Sequence, residues 1–374
     1  TLIALVITIV ILIILATVAI NAVFKDGGLI DQAELAKDLY NNSAKDEEKA
    51  MSNLAQQLNG LWSEEGGSGP EEPTLPDGWD PDKVRPEESG DGVIVPVPIG
   101  YTASDATNEN TVNGGFVIYE GEEAVTDSNV AEAKTSRNQF VWVPVDDVTK
   151  IANTAKDGGT DGNGRTNYQG KLYDFSTSGA TERTSYGQGT TSYREPDVVT
   201  DYDGIDATDD SSYFTSAISS SMTGEQFKIQ LQEEFNEMIA SVDTYGGFYI
   251  GRYETGNLAS NTTTEPVVVK GNNSISSVNW YYMYQNSKKI AANGNVVSTM
   301  IWGSMFDRTL IWLTETGSKQ YSDLMDSRSW GNYSNSTGEA ATDSGNKKPT
   351  GTNEAWKANN IYDLAGNVYD WTVE

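Results

Sequence analysis

The sequence predicts an α+β protein: a long N-terminal α-helix, then a mixed α+β globular part with long loops. Three observations lead there. Residues 1–24 contain no charged side chain, and at 1.5 Å per residue such a run makes a helix of about 36 Å. From about residue 93 onward, short stretches rich in Val, Ile, Phe and Tyr are scattered among stretches of helical periodicity, the signature of α+β rather than of regular βα alternation. Between them lie two segments, 151–220 and 318–358, dense in Ser, Thr, Gly, Asn and Asp, which read as long surface loops.

The opening run, "TLIALVITIVILIILATVAINAVF", has only Thr1, Thr8, Thr17 and Asn21 as polar members. Threonine hydroxyls can bond back to the preceding turn and cost little in lipid. Lys25 and Asp26 mark the first water-facing point, and Gly27 and Gly28 follow as a joint. Beyond the joint, Leu29, Ile30, Ala33, Ala36, Leu39, Tyr40, Met51, Leu54 and Leu58 recur at roughly helical spacing, with Gly60 as a stop. The expected element is one jointed helix over 1–62, apolar all round in its first part and amphipathic in its second.

Residues 63–92 are rich in Gly, Pro and acids without apolar periodicity and read as an extended acidic linker. Trp79 is its one aromatic residue, either half exposed or pinned to a neighbouring surface. In the globular part, 92–100, 114–121, 138–145 and 246–256 carry strand signals. Residues 222–242 carry a helix, with Thr223 and Gln226 placed as a capping box ahead of Phe227, Leu231, Phe235 and Met238. Further helices are expected over 280–292 and 298–317, the last stopped by Gly317.

Composition narrows the function. Lys plus Arg number 25 against 54 Asp plus Glu, a formal net charge of −29. Such a chain repels phosphate backbones, so no nucleic-acid partner is expected. Cysteine and histidine are both absent. Disulfides and thiolate chemistry are thereby excluded, along with the commonest general base and the commonest transition-metal ligand. Two Asp-rich loops, 157–164 and 201–210, offer oxygen ligands of the kind Ca2+ prefers, with Asp157, Asp161, Asp201, Asp203 and Asp206 as candidates. Neither has EF-hand spacing, and a solvated turn is the simpler reading. No other cofactor is expected.

The first 24 residues resemble the mature N-terminus of the type IV pilin family. That resemblance implies a methylated N-terminus left by a leader peptidase, a helix held first in the cytoplasmic membrane, and then packing of the same helix against its own copies in the core of a filament. The assembly helix would be carried by Thr1, Leu2, Ile3, Leu5, Ile9, Ile13, Ala16, Ile20 and Phe24, with Gly27 and Gly28 as hinge. Leu5 stands where the family usually has a Glu, so subunit register is expected to come from packing or from the segment around the hinge.

A second resemblance covers about 95–374. "FVWVPV", "GGFYIGRYETG", "PVVVKGNNSISSVNWYYMYQNS", "WLTETG" and "NNIYDLAGNVYDWTVE" follow one another as in the formylglycine-generating-enzyme family, a branch of the C-type-lectin-like fold. Gly366 and Asn367 suit a turn with positive φ. Tyr369 and Trp371 alternate with polar neighbours as on a half-buried strand. The copper-binding cysteines and iron-binding histidines of that family and its relatives have no counterpart here, so no catalytic residue is carried over and no enzyme is expected. In that family the "GNVYDWT" segment is followed by an Arg-Gly-Gly segment and final strands. Here the chain stops at Glu374, so either a longer chain or a second polypeptide adding a strand is expected to complete the domain.

Taken together, the expectation is an acidic, non-enzymatic structural subunit of an extracellular, bacterial-surface filament of the type IV pilus kind, displaying a lectin-like adhesion domain. Its partners would be copies of itself and the membrane-embedded assembly machinery. The alternative is a membrane-anchored carbohydrate- or ligand-binding surface protein that does not polymerise.

Overall fold

A four-stranded antiparallel sheet organises the globular unit, and its two faces carry two separate apolar clusters. The computed structural model describes residues 74–154, 158–183, 218, 222–256, 266–276, 278–290, 294–370 and 372–373. All belong to one unit, Pro73–Glu374. The expected helix over 1–62 and its hinge lie outside the described residues.

In chain order the strands are β1 (Val84–Glu88), β2 (Ile94–Pro98), β3 (Tyr101–Ala103), β4 (Val117–Glu120) and β5 (Gln139–Pro144), with helix α1 (Val130–Ser136) between the last two. Two hairpins follow, made by β6 (Ala152–Thr154) with β7 (Tyr168–Gly170) and by β8 (Tyr173–Ser176) with β9 (Gly179–Glu182). Helix α2 (Gly224–Tyr245) leads into β10 (Gly247–Gly251). Helices α3 (Trp280–Ser287), α4 (Gly303–Glu315) and α5 (Tyr321–Met325) come next, then the short pair β11 (Lys357–Ala358) and β12 (Ile361–Tyr362). The main sheet has the order β10-β5-β4-β3.

Period-two alternation explains the double core. Val117 and Tyr119 of β4, Val141 and Val143 of β5 and Phe248 of β10 point to one face, where Phe227, Leu231, Phe235 and Ile239 of α2 and Trp312 and Leu313 of α4 cover them. Ile118, Trp142 and Tyr249 point to the other, covered by Val95 and Val97 of β2. A sheet buried on both faces needs apolar residues at consecutive positions, which is why 138–145 reads as a continuous apolar run.

The α2 cap forms as expected: the Thr223 hydroxyl accepts the Gln226 N–H at 3.2 Å, and the Gln226 side chain accepts the Thr223 N–H at 2.9 Å. Gly246 ends the helix at φ 78°. The differences from expectation include two helix boundaries and one loop. The 280–292 helix ends at Ser287, whose carbonyl accepts from the Ser298 hydroxyl and from the Ile290 N–H. The 298–317 helix starts only at Gly303, since Ile301 is drawn out by an N–H from Val373 to its carbonyl. Residues 151–183, read as loop, hold the two hairpins.

The acidic linker is also shorter than its composition implies. Residues 84–88 form β1, paired with β2 so that Pro86 faces Pro96. Ser89 and Ile99 donate to Val93 and Lys83, which puts Pro86 and Pro96 at a non-hydrogen-bonded position, where a missing N–H costs nothing. Trp79 packs edge-on against Tyr245 at 5.9 Å.

Candidate functional site

Residues just past the end of β10 build two polar centres. Arg252 continues the strand, its N–H donating to the Gln139 carbonyl at 3.0 Å. Its side chain is 1% exposed and meets Glu109, 3% exposed, with Nη2 donating to Oε1 at 2.8 Å. Lys134 reaches the same oxygen at 2.8 Å. The hydroxyls of Tyr119 and Ser104 each donate to Oε2 at 2.9 Å. Every lone-pair direction of this carboxylate has a donor. Burial alone would raise its pKa, but Arg252 and Lys134 hold it down at about 2.

Two residues on, Glu254 has a different environment. Its Oε2 accepts from the Ser274 hydroxyl in a short hydrogen bond and from Asn367 Nδ2 at 2.5 Å. Its Oε1 is buried without a partner among the described residues. Burial pushes this carboxyl up to about 8, against the pull of the Ser274 and Asn367 hydrogen bonds and with help from the nearby Asp363. Asp363 is itself 1% exposed. Its Oδ2 accepts from Thr350 Oγ1 at 2.7 Å and from the Gly351 N–H at 2.8 Å, while its Oδ1 is unpartnered. Burial raises its pKa as well.

Asn367 ties this centre together. Its Nδ2 also donates to the Lys348 carbonyl, and its Oδ1 accepts from the Lys348 N–H and from Asn332 Nδ2, both at 2.9 Å. Gly366 and Asn367 have φ of 82° and 63°, as the sequence suggests. A Cβ on Gly366 would come within 2.5 Å of the Asn332 carbonyl oxygen. Over the described residues 366–370 the expected half-buried strand does not form. These two left-handed residues turn the chain, and Tyr369 is 100% exposed. Trp371 lies outside the described residues.

Both Glu254 and Asp363 line a cavity of about 1020 Å³, open to solvent and walled by β10 on one side and by residues 296–301 on another. Its lining is mainly apolar and aromatic, including Trp142, Tyr249, Met283, Met300 and Met305. A concave apolar site with a few convergent polar groups and perturbed acids is where a ligand or partner is expected to bind.

The cation candidates fare differently. Asp161 is 1% exposed. Its oxygens accept from the N–H groups of Asn163 and Arg165, both at 2.9 Å, and from Asn236 Nδ2 at 3.1 Å. That carboxylate fastens its own turn to α2. Asp157, Asp201, Asp203 and Asp206 lie outside the described residues, and among the described residues no group of three or more acids could hold a metal ion.

Arg252 and Glu254 could have been found in the sequence, since "GRYETG" places opposite charges on one face at the end of a strand signal. Glu109 could not: it lies 143 residues from Arg252 in a turn of polar residues. No protein-family model, no curated protein and no solved structure matches the chain.

Proposed function

We propose that the chain is a non-enzymatic structural subunit of an extracellular filament of the type IV pilus kind. Residues 1–60 pack against copies of themselves, and the globular unit is displayed outside. The observation that carries this reading is the uncharged run Thr1–Phe24, followed by an amphipathic stretch beyond Gly27 and Gly28. An apolar helix of that length is stable in lipid and equally stable when surrounded by its own kind. A strongly acidic exterior, at a formal −29 per chain, keeps neighbouring filaments apart in solution. Among the described residues, no helix is long and apolar enough to cross a membrane.

Electron microscopy of sheared cell-surface material tests the reading. Helical filaments with residues 1–24 in their core are expected, and Ile13→Asp should abolish them, because a lone charge buried among apolar helices is costly. Normal filaments from that variant would overturn the proposal. The large cavity beside Glu254 favours a second reading, a membrane-anchored ligand-binding module. In that case the protein stays in the membrane fraction after shearing and forms no filaments.

A further inference from the structure

The cavity runs along an open sheet edge. β10 pairs with β5 only, at the end of the sheet. Val145 donates to the Gly246 carbonyl at 2.8 Å and Arg252 to the Gln139 carbonyl at 3.0 Å. In the same register Phe248 faces Val143 and Ile250 faces Val141. The ladder therefore uses residues 246, 248, 250 and 252. The N–H and C=O groups of Gly247, Tyr249 and Gly251 point the other way, where they meet no partner among the described residues. All three residues line the cavity. Three donors and three acceptors at two-residue spacing match another strand, not a compact ligand.

The charges along this groove are uneven. Lys83 and Lys288 line it, but Lys83 lies 3.8 Å from Asp80 and Lys288 2.5 Å from Glu234. Glu237 is taken by Arg165 at 3.0 Å. Among the described residues, the lining acids left without a cation are Glu254, Asp363 and Asp370. Glu254 Oε1 and Asp363 Oδ1 are buried and unpartnered. The lining residues Tyr253, Thr299 and Trp302 also keep unpartnered buried polar atoms. Such groups are rare in a finished protein interior, and a cluster of them calls for a missing partner. Val297 and Tyr369, 91% and 100% exposed, add apolar surface to the lining.

We propose that the groove receives an extended strand of a separate polypeptide, which pairs with the free edge of β10 and brings a basic side chain to Glu254 and Asp363. Backbone hydrogen bonds to Gly247, Tyr249 and Gly251 supply the affinity, and the cation at the two acids supplies the register. This inference concerns the globular unit alone and stands apart from the filament reading, whose test uses residues 1–24.

The experiment uses the full chain in detergent and a synthetic strand of alternating threonine and valine with one central arginine. Controls replace the arginine by citrulline, its neutral isostere, and by glutamate. Residue-resolved amide exchange is the readout. In the free protein the Tyr249 and Gly251 amides should exchange much faster than those of Phe248 and Ile250. The arginine peptide should slow the former and leave the latter unchanged. Citrulline should weaken binding about tenfold or more, as expected for loss of a charge-assisted hydrogen bond, and Glu254→Gln should shrink the difference between the two peptides. Near-UV circular dichroism establishes that this variant is folded. Four results would each overturn the proposal: Tyr249 and Gly251 amides already protected at every protein concentration, protection that appears only as the protein is concentrated without peptide and so marks a second copy, no protection by the arginine peptide, or equal binding of the arginine and citrulline peptides.

Discussion

Glu109 and Glu254 are both removed from water near the same strand end, yet their carboxyls lie at opposite extremes. Glu109 meets two cations and two hydroxyls and sits at about 2. Glu254 meets a hydroxyl and an amide and, among the described residues, no cation, and sits at about 8. Burial penalises the charged form in both. The partner decides the outcome, and the comparison separates a finished structural centre from one with unfilled capacity. The Glu109 centre joins β4, β5, β10 and α1 into one body. The Glu254 centre borders open space.

The largest expected effect comes from emptying the finished centre. Arg252→Met leaves Glu109 buried with only Lys134 as a cation, and should destabilise the unit by about 3–5 kcal/mol in denaturant unfolding. A loss below about 1 kcal/mol would mean that the pair is no more than a surface ion pair in energy. Asn367→Gly comes next. Glycine keeps the positive φ but loses the hydrogen bonds to Glu254, Lys348 and Asn332, for a cost of about 2–3 kcal/mol. Should Asn367→Ala prove no worse than Asn367→Gly, backbone strain at φ 63° is not part of the design.

Glu254→Gln sharpens the contrast through its pH dependence. The folded pKa of Glu254 lies above the unfolded value, so its favourable contribution is complete below about 4.5 and is lost as pH rises towards about 8. The glutamine variant should match the parent chain near pH 4 and exceed it by on the order of 5 kcal/mol at pH 9. A parent chain as stable at pH 9 as the variant would show that Glu254 has a cationic partner after all. Lys134→Met should have the smallest effect, at most about 1 kcal/mol, because its side chain is 24% exposed and Arg252 still holds Glu109.

Local signals in the sequence translated well. The Thr223 cap, the Gly317 stop and the apolar runs at 138–145 and 246–251 depend on neighbours within a few residues, and each is where the sequence suggests. β1 was hidden because "VRPEE" has no apolar alternation; only its pairing with β2 makes it a strand. The Tyr369 side chain misleads in the opposite direction, since its alternation with polar neighbours mimics a half-buried strand while the turn at Gly366 and Asn367 carries it into solvent. The candidate site was the least legible part. Glu254, Ser274, Thr350, Asp363 and Asn367 come from four separate segments, and an unpartnered oxygen such as Glu254 Oε1 exists only once the fold has closed around it.

A carboxyl titration of the full chain, followed by NMR on 13C-labelled glutamate, tests the contrast most directly. Glu109 should titrate at about 2 and Glu254 at about 8. A Glu254 titrating near the ordinary glutamate value of about 4.3 would mean that its carboxylate is already satisfied, and that the groove beside β10 holds no unfilled charge.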